Sequence, residues 1–147
     1  MVVVINGKDV DNTAVTVSKS ITFTGAANLG AVGAVPWFTI TGQVHIKKIV
    51  GRVVTSVTAT AADTLAIGVT GSTSLFIAAT DKANLVSTAP VWVDSTPVAS
   101  GKAIPAACKD IAIAANIIGT VAGVAFTAGV IALDIEYLPL STGASLA

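Results

Sequence analysis

Charge is scarce in this chain. Its 147 residues include eight Lys or Arg and eight Asp or Glu, so 11% are charged and the net charge is zero. Ordinary soluble domains carry about 25% charged residues. No basic face is available to neutralise phosphates, which argues against a nucleic-acid binder. Weak mutual repulsion makes association with copies or partners the natural expectation. Cys108 is the only cysteine, so no intrachain disulfide can form and the disulfide-stapled miniproteins are excluded. With Lys102 as its nearest preceding cation, Cys108 reads as a small buried hydrophobe rather than a nucleophile. The chain also has one histidine, His45, and no Asn-x-Ser/Thr acceptor. One His and one Cys cannot furnish a zinc site.

Two kinds of apolar segment are missing as well. The start, MVVVINGKDVDN, has no basic opening, and its apolar run is far shorter than the roughly 7–15 residues of a signal peptide. No signal peptide is therefore expected. The uncharged run Ile111 to Leu133 has the length of a spanning helix, but Asn116, Gly119, Thr120, Gly123, Thr127 and Gly129 cut it into short pieces. No Lys/Arg cluster flanks it, so no membrane association is expected.

What is present is β-forming sequence. Hydrophobic residues make up 53%, mostly Ala, Val and Ile, mixed with Thr and Gly. The longest strand-like stretch is Val35 to Thr58, VPWFTITGQVHIKKIVGRVVTSVT. It reads as two consecutive strands joined at Thr41-Gly42-Gln43 and forming the spine of the domain. Val44 and Ile46 share one parity, whereas Ile49, Val53 and Val57 share the other. A β-bulge at Lys47-Lys48 would restore a single buried face; the alternative is an inward, paired lysine.

The rest divides into short strands and turns. Val2 to Ile5 is a strand closed by Asn6-Gly7. Asp9, Asp11 and Asn12 form a polar link. Ala14 to Val17 and Ser20 to Thr24 read as two strands, and Gly25 to Gly33 as a loop. Thr64 to Ala79 is a hairpin turning at Thr70 to Thr73, with Leu75, Ile77 and Ala79 on one face. Asp81 to Asn84 starts a short helical turn. Pro90 to Val93 is a strand and Val98 to Pro105 a loop. Ile111 to Ala115 and Ile117 to Val121 fit strands or buried helix by periodicity, and frequent Ile, Val and Gly favour strands. Val130 to Leu138 is the final strand, Pro139 ends it, and STGASLA reads as a frayed tail. The pattern supports an all-β, antiparallel sandwich of jelly-roll type with roughly eight to ten short strands. The expected organisation is a strand or arm segment over residues 1–20, a sandwich over 21–141 and a tail over 142–147.

Catalytic templates find little support. A Ser-His-Asp triad would have to use His45, which sits mid-strand, and no Gly-x-Ser-x-Gly elbow occurs. The glycines at 25, 30 and 33 lack dinucleotide spacing, and no Gly-Lys-Ser/Thr follows them. Asp9 and Asp11 share a loop with Asn12, but Asp-Val-Asp-Asn lacks the long acidic loop of an EF-hand, and such loop carboxylates read as solvating a turn. Asp134 and Glu136 resemble a glycosidase pair in composition alone and read as the polar face of a strand. The reading is therefore no catalytic residue, no metal and no cofactor. Trp37, Trp92 and Tyr137 are the candidate binding residues, as interface anchors or stacking platforms for a sugar, against the plainer alternative of core burial.

The order VPWFTITGQVHIKKIVGRV, TLAIGVTGSTSLFIAATDKANL, VWVDSTP and FTAGVIALDIEYLPLS resembles small structural proteins of tailed bacteriophage virions. The resemblance runs through Leu65, Ile67, Gly68, Val69 and Gly71, then Thr127, Ala128, Gly129, Leu138, Pro139, Leu140 and Ser141. It covers about Val35 to Ser141 and rests on strand-and-turn patterns. It implies a non-enzymatic virion protein made in the host cytoplasm. Chief among the options is a capsid decoration (cement) protein that contacts the major capsid protein or other virion proteins and itself, with a trimer favoured by analogy with threefold lattice sites. The alternative is a receptor- or glycan-binding module of a fibre or tail. An enzyme dependent on His45 is a third reading.

Overall fold

A computed structural model describes residues 14–147 and, as backbone, the strands Val2–Ile5 (β1) and Lys8–Asp11 (β2). The Asn6-Gly7 turn and the polar link through Asn12 lie outside the described residues. β1 and β2 pair antiparallel as a two-stranded sheet of their own.

The body begins with β3, Val15–Thr22, and β4, Gly33–Phe38. Next come β5, Ile40–Thr41, β6, Val44–Ala59, β7, Thr64–Val69, and β8, Ser72–Asp81. After a 3-10 turn at Lys82–Asn84 the chain forms β9, Val91–Trp92. A second 3-10 turn, Ala106–Cys108, leads into β10, Lys109–Ile113. β11, Ile117–Ala122, β12, Phe126–Pro139, and β13, Ser145–Leu146, complete the fold. Eight of these strands make two antiparallel sheets, β3-β12-β6-β10 and β4-β11-β7-β8. Within the eight, the first pairs with the last, β4 with β11, β6 with β10 and β7 with β8. This is a folded antiparallel ribbon rolled on itself, the jelly-roll topology. Both sheets contribute to one apolar core, Ile21, Ile46, Ile131 and Leu133 from the first and Trp37, Leu65, Ile67 and Ile117 from the second.

The stretch Val35 to Thr58 is confirmed as strand, but its two halves do not pair with each other. β4 lies in one sheet and β6 in the other. The chain changes sheets at Gly42, whose φ of +69° is a conformation that glycine adopts without a Cβ penalty. The bulge is present. Glu136 pairs with Lys48 and Tyr137 with Ile46, so Lys47 is the inserted residue. Val44, Ile46, Ile49 and Val53 consequently all reach the core. Three further register shifts follow on the β6–β12 ladder, and Thr55 faces solvent between buried Val53 and Val57.

Other expectations shift in detail. The segments around Val15 and Ile21 form one continuous strand, paired with β12 from Val15 to Thr22, so the sandwich begins near residue 15 rather than 21. In β8 the face expected from Leu75, Ile77 and Ala79 is broken. Register shifts against β7 bury Phe76, Ile77 and Thr80 and leave Ala79 exposed. The tail is not frayed: β13 pairs with β5, and Leu146 is 4% exposed within the core. Ile111 and Ile117 lie in strands, as their β-branched neighbours suggested.

Two tryptophans sit on two glycines. An added Cβ at Gly51 would stand 2.5 Å from the Trp92 ring, and one at Gly119 2.3 Å from the Trp37 ring. Trp92, fully buried beside β6, donates from Nε1 to Thr80 Oγ1 of the opposite sheet at 2.9 Å. Thr80 in turn donates to the Ala78 carbonyl at 3.0 Å. The indole thus adds apolar burial and a satisfied polar link across the sheets. Gly51→Ala is expected to destabilise by about 1–3 kcal/mol through overpacking, although alanine is otherwise no worse in a strand. Gly101→Ala, where an added Cβ meets nothing within 4 Å, should change stability by no more than about 0.5 kcal/mol. Urea unfolding of both variants checks the contrast.

Candidate functional site

The three candidate binding residues all lie inside the molecule. Trp37 is 5% exposed, Trp92 0% and Tyr137 5%, and all three belong to the core shared by the sheets. Rings buried to this degree offer no face for a sugar to stack on, so they act as core anchors. Trp37 packs near Phe23 at 6.3 Å between ring centroids, and Phe23 meets Phe126 edge-on at 5.2 Å.

The polar residues resolve into ion pairs on the outer face of the first sheet. Arg52 Nε donates to Asp134 Oδ2 at 2.9 Å, and Lys48 Nζ lies 2.9 Å from Glu136 Oε2. Both carboxylates of the glycosidase-like pair are thus engaged in ion pairs. Asp110 occupies a left-handed conformation, φ +55°, tolerated by Asp. It lies opposite the bulged Lys47, whose Nζ is 3.0 Å from its Oδ1. His45 Nε2 is 3.4 Å from the same oxygen. The carboxylate that would orient His45 is thus held more closely by Lys47. Among the described residues, no group of three His, Cys, Asp or Glu side chains is placed to hold a metal. The side chains of Asp9 and Asp11 lie outside the described part.

The two long sides of the sandwich are built differently. The loop from Val93 to Cys108 closes the β8–β10 side. The Cys108 thiol donates to the carbonyls of Phe76 and Val93, both at 3.1 Å. Burial, helped by the Asp94 charge, pushes this thiol up to about 11, so it remains a protonated donor rather than a nucleophile. Lys102 ties the same loop, reaching Asp94 Oδ1 and Oδ2 at 2.7 Å and the Thr96 carbonyl at 2.9 Å.

Among the described residues, the β3–β4 side is open. Each strand is the terminal one of its sheet, and between them lies a groove of about 440 Å³ lined by Lys19, Ile21, Leu29, Pro36 and Trp37 among others. Lys19 Nζ spans the groove to the Trp37 carbonyl at 2.6 Å and lies 5.5 Å from the Phe38 ring centre. Three of the five large apolar side chains exposed among the described residues, Val15, Leu29 and Val32, lie on β3 or in the loop to β4. Sequence patterning missed this groove. The available signals were the Gly-rich 25–33 connection with Leu29 and Val32 in it, and a lone lysine amid the alternation of β3. A partly apolar sheet edge with a single lysine in it has the chemistry to bind a protein surface or an added strand. No protein-family model, curated protein or solved structure matches the chain.

The ion pairs carry a pH prediction. Burial pushes the Asp94 carboxyl up, but the Lys102 ammonium and the N–H and hydroxyl of Thr96 outweigh it and hold Asp94 below its ordinary value. For Asp134, burial is likewise outweighed, here by Ser18 and Arg52. Depressed carboxyl values stabilise the fold above the unfolded-state value of about 3.9, and that contribution disappears as pH falls through the folded value. Urea midpoints are expected to be level from neutral pH down to about 5 and to fall below about 4. Asp94→Asn should lower the neutral-pH midpoint and shrink the acid decline.

Proposed function

We propose that this chain is a non-enzymatic structural protein of a tailed-bacteriophage virion, a decoration protein that binds the shell and stabilises it through apolar contacts with copies of itself and with the major capsid protein. The observation that carries the reading is the open β3–β4 side, where unpaired strand edges coincide with Val15, Leu29 and Val32. Exposed apolar side chains grouped in this way are a mark of contact surfaces. The jelly roll is compatible, being common in capsid and lectin domains, although a fold by itself does not assign a function. The polar residues support it too, because the carboxylates nearest to catalytic patterns are engaged in ion pairs with Lys47, Lys48 and Arg52. The near absence of net charge favours close packing of many copies. The glycan-binding alternative loses its stacking candidates, since Trp37, Trp92 and Tyr137 are core residues.

No helix among the described residues is long and apolar enough to cross a membrane. A virion location is part of the proposal. Purified protein is expected to co-sediment with undecorated capsids of its phage at a fixed stoichiometry and to raise their resistance to heat or chelators. Val32→Asp together with Leu29→Asp should weaken that binding at least tenfold, while urea unfolding of the free protein stays within about 1 kcal/mol, as for surface changes. Binding unaffected by these changes would remove the β3–β4 side from the reading, and no binding to any capsid would overturn the reading itself.

A further inference from the structure

The open edge of β3 has a definite hydrogen-bonding pattern. The Phe23 N–H points to β12, bonding the Gly129 carbonyl at 2.9 Å, and the β3–β12 register runs unbroken from Val15 to Thr22. Backbone groups alternate sides along a strand. Thr16, Ser18, Ser20 and Thr22 therefore turn their N–H and C=O groups to the open edge, and all four are solvent-exposed. Such a row is a template for an added strand.

The same chain carries a segment suited to it. β1 and β2 form a two-stranded sheet of their own, and a hairpin of two strands is marginal unless it joins a larger sheet. β1 is four consecutive β-branched residues, Val2 to Ile5, and β2 is Lys8-Asp9-Val10-Asp11, with two carboxylates against one ammonium. The charge lining the groove is the Lys19 ammonium, held by a carbonyl oxygen. An acidic strand complements that cation. Pairing β3 with β3 of a second copy would instead bring two Lys19 side chains together, which is unfavourable.

We propose that the open edge of β3 accepts the N-terminal hairpin of a second copy of this chain, added through β2 so that its carboxylates lie near Lys19. This rests on the self-association in the proposed function and specifies how it occurs. Donor and acceptor are different surfaces, so the contact is heterologous: it gives a ring where its rotation closes and an open filament where it does not, and the proposed function, with its threefold lattice sites, selects the ring of three.

The full chain is followed by analytical ultracentrifugation across micromolar concentrations. It is expected to form a closed oligomer. Ser20→Pro removes an N–H that points away from β12, so it should weaken association at least tenfold while leaving the thermal midpoint of the fold nearly unchanged. Asp9→Lys with Asp11→Lys should weaken association similarly, and adding Lys19→Glu should restore it. A wild-type chain that stays monomeric overturns the proposal, since a hairpin folded onto its own β3 gives that result. An oligomer indifferent to both the proline and the charge changes overturns it as well. If the proline variant fails to fold, the charge series decides, because it leaves the β3–β12 ladder intact. Capsid binding is scored on the same samples. A shell-binding monomer overturns this inference and leaves the proposed function standing, whereas an oligomer that binds no shell does the reverse.

Discussion

The fold depends on β6 keeping one apolar face inward over 16 residues while the sheet bends. A straight ladder cannot do this with the side chains β6 has, because its apolar parity changes after Lys47. Inserting Lys47 against β12 corrects the parity and bends the strand at the same point. It also sets Lys47 opposite Asp110 on β10, so the distortion of one ladder becomes an ion pair on the next. On that edge β6 then pairs with β9 at Gly51 and Arg52, and beyond them donates to loop carbonyls, Val53 N–H to Pro90 O and Val57 N–H to Leu85 O. Backbone groups on both edges of a buried strand have to be satisfied, and β6 achieves this with β12 along one edge and a succession of short partners along the other.

Small residues in β6 and β11 allow the largest side chains to enter. An indole laid flat against a strand needs a neighbour without a Cβ, and Gly51 and Gly119 supply it for Trp92 and Trp37. The two contacts lie in different sheets. Trp92 also reaches across to Thr80, so its burial joins the sheets by packing and by a hydrogen bond together. The aromatic residues that look most like binding determinants in the sequence are therefore those most tightly committed to the core.

This explains what was legible in the sequence and what was not. Strand identity and the Lys47 bulge follow from period-two alternation, a local property, so they could be read directly. The jelly-roll class followed from many short strands separated by turn residues. The assignment of β4 and β6 to opposite sheets could not be read, because a turn at Gly42 serves a hairpin and a sheet crossover equally well. The tail was misjudged for a similar reason. Seven small residues look frayed in isolation, yet Leu146 has a core position and Ala147 exchanges hydrogen bonds with Thr39. For the site, Trp37, Trp92 and Tyr137 are large and rare, and a one-dimensional reading cannot distinguish a rare residue facing a partner from one facing its own opposite sheet. Mid-strand Gly51 and Gly119 were the usable sign of inward packing.

The contrast between the two sides of the sandwich bears most directly on function. Both sides face the same physical problem, two sheet edges with unsatisfied backbone groups. On the β8–β10 side the chain spends the segment from Val93 to Cys108 on closing it, with a buried thiol and the Lys102–Asp94 pair holding the closure. On the β3–β4 side it leaves a groove bridged by one lysine. That side is nonetheless not a bare aggregation edge. Pro36 removes a donor from β4, and Lys19 places a charge between the edge strands, both familiar guards against indiscriminate strand addition. In the proposed strand addition, an edge guarded in this way disfavours a generic apolar strand and favours one that brings a carboxylate to Lys19. If the proposed strand addition holds, the position of this one lysine, in a chain with so few charges, sets which strand fits the edge, and the apolar surface around it supplies the contact area.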